Sequence, residues 1–418
     1  MREGLLAALL LSSIAACGST ETEAPRGQLT IAMILPKSGA FSSAYQTLEG
    51  GARLAQKWIN DAGGVLGMEL VFDERDEAAG TNGVVPITDV ANDLVSQGVQ
   101  VWVGPQASDS ALAAAPIAAA NQRLLIAPSA GASQLSALAD DDFVFRGIQV
   151  VSTAAVASAR VAYAGGHTTA SVLHLNNAVS TDQANTFANT FVAAGGTVLV
   201  NHGYDYDTAN PSAFVAQAHL DAVFAGNPDV IFLYGTPTDA VAVLTAWDKM
   251  DWAGQWILGA VLASSDIAAA VGGPKIADAL TYTAAAPAPA DQVTINSAFQ
   301  ELNGFDLGDV NTTVVNSTLQ STILAALAIE RAGVNDGTAI RDVLREVANA
   351  PGEPVMGAVD YRRAVDIVRS GGDLDFVGLS APLELDARGD FVGNISERRF
   401  NANGGLDVVR VLVPGADF

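Results

Sequence analysis

The sequence predicts an α/β protein made of two units of parallel sheet and helix in series. Three observations carry this. From residue 29 onward short apolar runs alternate with helix-length amphipathic segments. The same rhythm starts again after FVFRG at 143–147. Half of the 418 residues are hydrophobic and only 16% are charged, enough apolar material for two sizeable cores.

In the first unit LTIAMIL (29–35) reads as a buried strand. The segment 46–64 then puts Leu48, Ala52, Ala55, Trp58, Ile59 and Ala62 on one helical face, and Gly63 and Gly64 end it. Strands follow at 68–74, 99–104 and 123–128, with helices at 88–98 and 110–122, the latter interrupted or kinked at Pro116. In the second unit helices at 153–166, 181–196, 211–227 and 238–250 alternate with strands at 170–177, 197–204, 229–235 and 255–262. The Ala- and Pro-rich stretch 283–292 reads as a linker, followed by helices at 293–303, 317–333 and 337–349 and then short strands.

The first residues, MREGLLAALLLSSIAACGST, carry one Arg, an apolar run from Leu5 to Leu11 and small residues up to Cys17. The run is too short to span a bilayer and reads as a secretory signal. Ile14, Ala15, Ala16 and Cys17 resemble a bacterial lipobox, in which the cysteine is acylated and becomes the new N-terminus. Cys17 is the sole cysteine, so no disulfide is expected. The reading is a signal peptide at 1–17, a flexible tether at 18–28, and an exported protein held to a membrane, periplasmic or cell-surface, by lipid alone.

The formal charge is −24 with only 21 Lys and Arg, which argues against nucleic acid as a partner. The first strand runs into PKSG, not into a G-x-G-x-x-G or Walker loop, and no G-x-S-x-G elbow is present. His167, His174, His202 and His219 lack metal-ligand spacing. No catalytic residue, metal or cofactor is therefore expected. In an open parallel sheet a ligand sits beyond the carboxyl ends of the strands, where loops enter helix N-termini. Three loops have that position: 36–43, 104–110 and 128–133, all rich in Ser, Ala and Gly. Ser108 fits either a ligand contact or a helix cap.

The order of these features resembles the type I periplasmic solute-binding proteins, specifically the leucine/isoleucine/valine-binding family of ABC-transporter receptors. The likeness runs over most of residues 29–418, through ILPKSGAFSSAYQTLEGGARLAQKWINDAGGVLGMELVFDERD, VWVGPQASDSALAAAPIAAANQRLLIAPSAGASQL, FVFRG, DGTAIRDVLREVANAPGE and GGDLDFVGLSAPLELDARGDF. It implies two Rossmann-like lobes joined by a three-strand hinge, 29–147 with 284–378 and 148–283 with 379–418, closing on a small molecule. The family's carboxylate-binding serine falls on Ser108, its second hydroxyl residue on Gly131, and the backbone carbonyl that takes the ammonium on Ala130. Ser38, Ser42, Ser43, Tyr45 and Gln106 complete the lining from the first lobe.

In the second lobe the family's aromatics fall on Val179 and near Thr236 or Pro237, and its ammonium-pairing acid falls on Val261. Asp109, Asp182 and Asp239 are candidates to replace that acid, although Asp at a helix start also serves as a cap. The expected function is capture of a small solute, an amino acid or a related carboxylate or amide, for delivery to ABC permease subunits. The alternative is a sensing or envelope-regulatory lipoprotein of the same fold that works through protein contacts.

Overall fold

The computed structural model describes residues 27–38, 41–77, 86–207, 210–247, 252, 254–285, 289–307, 312–357, 359–379 and 383–418. The expected leader, Cys17 and the tether up to residue 26 lie outside them. The chain runs β1 (Gln28–Leu35), α1 (Tyr45–Asp61), β2 (Glu69–Asp76), α2 (Ile87–Ser96), β3 (Val101–Val103), α3 (Ser108–Ala120), β4 (Leu124–Ala127) and β5 (Val144–Arg146). It continues through α4 (Ser152–Ala164), β6 (Thr169–Leu175), α5 (Ala178–Ala194), β7 (Thr197–Tyr204), α6 (Ala216–Phe224), β8 (Val230–Tyr234), α7 (Pro237–Trp247), β9 (Gln255–Leu258), α8 (Ser265–Val271), α9 (Gly273–Ile276) and β10 (Leu280–Ala284). Then come α10 (Pro289–Asn303), α11 (Thr312–Ala332), α12 (Gly337–Ala348), β11 (Glu353–Val355), α13 (Tyr361–Arg369), β12 (Leu374–Phe376), β13 (Ile395–Phe400) and β14 (Leu406–Leu412).

The first sheet has the order β2-β1-β3-β4-β5 and is parallel throughout. Both of its faces are covered, which is why β1 is a continuous apolar run: Ile31, Met33 and Leu35 pack into one core with α1 and α11, and Ala32 and Ile34 into another with α2 and α3. The second sheet has the order β14-β13-β10-β9-β8-β6-β7. Its β7, β6, β8, β9 and β10 are parallel, whereas β13 and β14 join antiparallel. Leu173, Ile231 and Leu233 fill one face of it and Val172, Phe232 and Tyr234 the other.

Local differences from the sequence reading have plain causes. The linker read at 283–292 overlaps β10, whose short LTYTA merges into an Ala run, and α10 begins by Pro289. Residues 265–276, which carried no assignment, form the short helices α8 and α9, and α13 adds a helix where only strands were expected. Pro116 does not end α3: it sits on the exposed side of the helix, while Ala111, Ala114, Ala115 and Ala118 pack in the core. Among the described residues α11 is the one helix long and apolar enough to cross a membrane, but 83% of that stretch is buried. It is the central helix of the first core.

Three passages of chain join the sheets, after β5, between β10 and α10, and ahead of β13. They are tied to one another. Gln320 of α11 donates from Nε2 to Gly147 O (2.6 Å) and accepts the Leu379 N–H (3.1 Å), Gly393 N–H donates to Gln149 Oε1 (2.9 Å), and Ala285 N–H donates to Asn394 O (2.9 Å). Leu379, Leu383, Leu385 and Phe391 still pack in the first core, and the chain reaches the second sheet at Ile395.

Candidate solute-binding cleft

The first sheet reverses its order between β1 and β3, so the described residues that follow β1, β3 and β4, with Glu77 at the end of β2, gather at a topological switch point. After β1, Ser38 is fastened to the end of β2: its N–H and hydroxyl donate to Asp76 Oδ1 (3.1 Å) and Oδ2 (2.6 Å). Beside it Lys37 pairs with Glu74 at 2.9 Å and stands 5.7 Å from the Tyr45 ring centre. Ser42 is exposed in the turn Ser42–Ala44 that opens α1. Ser43 shares that turn, with its side chain outside the described structure.

At α3 the cap position belongs to Ala107, and Ser108 opens the helix. The Ser108 hydroxyl accepts the Ala132 N–H at 3.2 Å, which ties the β3 and β4 loops together. Gln106 is buried. Its amide oxygen accepts from the Ser129 hydroxyl (2.6 Å) and the Thr318 hydroxyl of α11 (3.5 Å). Just ahead of α3 a residue absent from the sequence-based site appears. Glu77 Oε2 accepts the N–H of Gln106 (2.6 Å) and of Ala107 (3.2 Å), while Glu77 N–H donates to Leu35 O (2.9 Å). Burial pushes its carboxyl up to about 7, against the pull of those two amides, with Asp76 adding to the rise.

The β4 loop is more internally engaged than the sequence suggests. The Ala130 carbonyl, expected to face an ammonium, accepts from Arg146 Nη1 at 3.3 Å. Arg146 is 1% exposed, donates also to Ser136 Oγ (2.8 Å), and pairs with Asp390 at 2.5 Å. Burial pulls its pKa down and the Asp390 carboxylate opposes that. Gly131 is buried against Val151, whose N–H donates to the Gly131 carbonyl (3.0 Å). A Cβ at 131 would collide with Val151 Cγ1, so the space that a side chain here would need is filled by the neighbour.

Besides Val151, the second unit contributes hydrogen bonds from one described side chain to these loops. Asp182 of α5 accepts the Ser133 hydroxyl (2.6 Å) and, more weakly, its N–H (3.4 Å) across the gap between the sheets. Asp239 is fully buried and holds the Tyr204 and Thr236 hydroxyls together with the Thr236 N–H (2.8 Å), a helix-start arrangement within the unit. Thr236 is exposed, Val179 is half-buried in the first turn of α5, and Val261 is 51% exposed. Asp109 is exposed on α3. The structure therefore brings Ser38, Gln106, Ser108, Ala130 and Gly131 together and adds Glu77, Ser133 and Asp182. The second-lobe trio Val179, Thr236 and Val261 has no polar contact with them. His202 and His219 face each other at 2.9 Å away from these loops, and no three metal-ligating side chains cluster among the described residues.

A family model of periplasmic binding proteins matches residues 28–367. The chain belongs to the periplasmic binding protein family. Among curated proteins this binding protein is similar to BasB, a chemotactic signal transduction system substrate-binding protein of Halobacterium salinarum, with 24% identity over 368 residues covering 86% of this chain and 84% of BasB. Among solved structures it is similar to a leucine binding protein, LivK of Thermotoga maritima MSB8, with TM-score 0.71 and 20% identity over 92% of this chain and 99% of that one. A solute binding protein of an ABC transporter from R. palustris, in complex with 4-hydroxybenzoate, matches with TM-score 0.71 and 17% identity over 94% and 98% of the two chains. The type I fold and the kinship with the Leu/Ile/Val-binding group expected from the sequence are borne out. Relatives of this binding protein are solute-binding proteins, and membership implies an exported protein.

Proposed function

We propose that the chain is an extracytoplasmic solute-binding lipoprotein of an ABC importer. It captures a small solute, an amino acid or a related carboxylate or amide, between two lobes and hands it to membrane permease subunits. The lobes are 29–147 with 284–378 and 148–283 with 379–418; the packing of Leu379, Leu383, Leu385 and Phe391 on the first core supports moving the third boundary from 378 to the stretch between Phe391 and Ile395. One observation carries the reading. Residues that follow β1, β3 and β4 gather with Glu77 at the switch point of the first sheet, with Ser108 at the mouth of α3, and Asp182 of the opposite unit reaches across to Ser133. That is the arrangement of a cleft able to close on what it holds. Solutes bound by the relatives, leucine and 4-hydroxybenzoate by their names, fall in the proposed class.

A thermal-shift screen of amino acids, amides and small carboxylates tests it. A cognate solute at a hundred times its Kd should stabilise the fold by about 2.7 kcal/mol. No shift from any class would count against capture. The lipid anchor is part of the proposal: acylation of Cys17, with 18–28 as tether, should add a lipid mass that Cys17→Ser abolishes. A second reading has support of its own. The Ala130 carbonyl and the space beside Gly131 are already taken by Arg146 and Val151, and BasB is named for signal transduction, so a sensor that works through protein contact would keep this fold without solute turnover.

A further inference from the structure

Around the switch point two buried side-chain atoms have no hydrogen-bond partner, Glu77 Oε1 and Gln106 Nε2. Their residues are 1% and 6% exposed. Both are held in place by their other atoms. Glu77 Oε2 is fixed by the N–H groups of Gln106 and Ala107, and its backbone N–H by the end of β1. The Gln106 amide oxygen is fixed by Ser129 and Thr318, which leaves its NH2 group turned away from them. A buried acceptor and a buried donor left open on neighbouring residues, between the ends of β1 and β3, are costly to the fold until something satisfies them.

We propose that Glu77 and Gln106 form the specificity-determining polar subsite of the cleft: Glu77 Oε1 takes an N–H donor of the solute, an ammonium group, and Gln106 Nε2 donates to an oxygen beside it. The inference rests on the solute-capture reading. It also answers what that reading lacks. Position 261 carries a half-exposed Val where an acid is expected, and the other candidate acids facing the gap or α7 are engaged, Asp182 by Ser133 and Asp239 by Tyr204 and Thr236. Glu77 moves the acid from the second lobe to the first. The net charge of −24 favours a cationic group arriving there.

The groups around Glu77 set the pH behaviour. Asp76, the last residue of β2 and next to it in the chain, disfavours its ionisation, Lys37 and Glu74 form their own pair, α3 turns Asp109 to solvent, and the β4 loop and α11 present the neutral Ser129 and Thr318. An ammonium needs the ionised carboxylate, whose titration lies near 7. Affinity for an amine-bearing solute should therefore weaken about tenfold per pH unit below 7 and be flat above it until the solute's own ammonium loses its proton, at about 8 for an amino-acid amide. A carboxylate without an amine should show the opposite sign, weakening as pH rises through 7.

Calorimetric titrations of the full chain with L-leucine, L-leucinamide and 4-hydroxybenzoate between pH 5.5 and 8.5 test this, with folding checked by circular dichroism. Glu77→Gln keeps an oxygen for the two backbone amides. It should lose tenfold or more in affinity for the amine-bearing probe that binds, and lose the pH slope, while Gln106→Leu weakens binding and keeps the slope. A 13C titration of the Glu77 carboxyl in the unmutated protein needs no variant to fold: its midpoint should drop when the amine-bearing probe is bound. Wild-type affinity and pH profile in Glu77→Gln, or an unmoved midpoint in the saturated protein, would overturn the subsite and leave solute capture standing. If neither these probes nor any other amino acid, amide or carboxylate bound the unmutated protein, capture and subsite would fall together.

Discussion

At the scale of single residues, Gly131 shows how far a sequence can be read. Its place in the loop that follows β4 was legible from the alternation of strand and helix around PSAGAS. The reason for a glycine was not, because Val151 lies twenty residues on and meets it only in the folded chain. Gly131→Thr alone should cost about 1–3 kcal/mol in denaturant unfolding, the penalty of overpacking a closed space. Gly131→Thr with Val151→Ala should recover most of that and restore a hydroxyl to the cleft. Equal stability of Gly131→Thr and the unmutated protein would show that the space is open. Glu77 was illegible for a different reason. In ELVFDERDE it reads as the solvated end of an acidic strand, and nothing local marks the one carboxylate that turns inward to the amides ahead of α3. Arg146 lies in the apolar FVFRG, and its burial was not legible there because its partners are the Ala130 carbonyl and Ser136 in the β4–β5 connection and Asp390 far along the chain.

At the scale of elements, the parallel strands and their helices were legible because a strand buried on both faces must be apolar along its length. β1 meets that condition with alternate side chains in two different cores. β10, α8, α9 and α13 were not legible. They are short: β10 is set between β9 and β13, α8 packs on α7 and α9 on α8, while α13, which packs on α11, does carry an amphipathic pattern, with Tyr361, Ala364, Val365 and Val368 buried, that the sequence reading passed over. The tie between α5 and the β4 loop belongs to this scale too. Asp182 is the described side chain of the second unit that bonds to Ser133, so Asp182→Ala should favour the open arrangement of the two units. Small-angle scattering of Asp182→Ala without solute should give a larger radius of gyration than the unmutated protein, and solute affinity should fall about fivefold or more. An unchanged radius together with unchanged affinity would show that the contact has no part in closure.

At the scale of the whole molecule, two sheets joined by three adjacent chain passages give a body with few ways to move other than about those passages. The buried pair Arg146–Asp390 sits beside the first and third of them, and removing one partner of such a pair leaves a charge with nothing to balance it. A cleft closed over the switch point would exclude water from Ser108, Gln106 and Glu77, and polar contacts strengthen as water leaves. Native mass spectrometry of the protein purified without refolding tests the central claim of solute capture most directly. The account predicts a species heavier than the bare chain by the mass of one small molecule, released on collisional activation and restored by incubation with the cognate solute. A bare chain under every condition, including saturation with amino acids, amides and aromatic or aliphatic carboxylates, would contradict it.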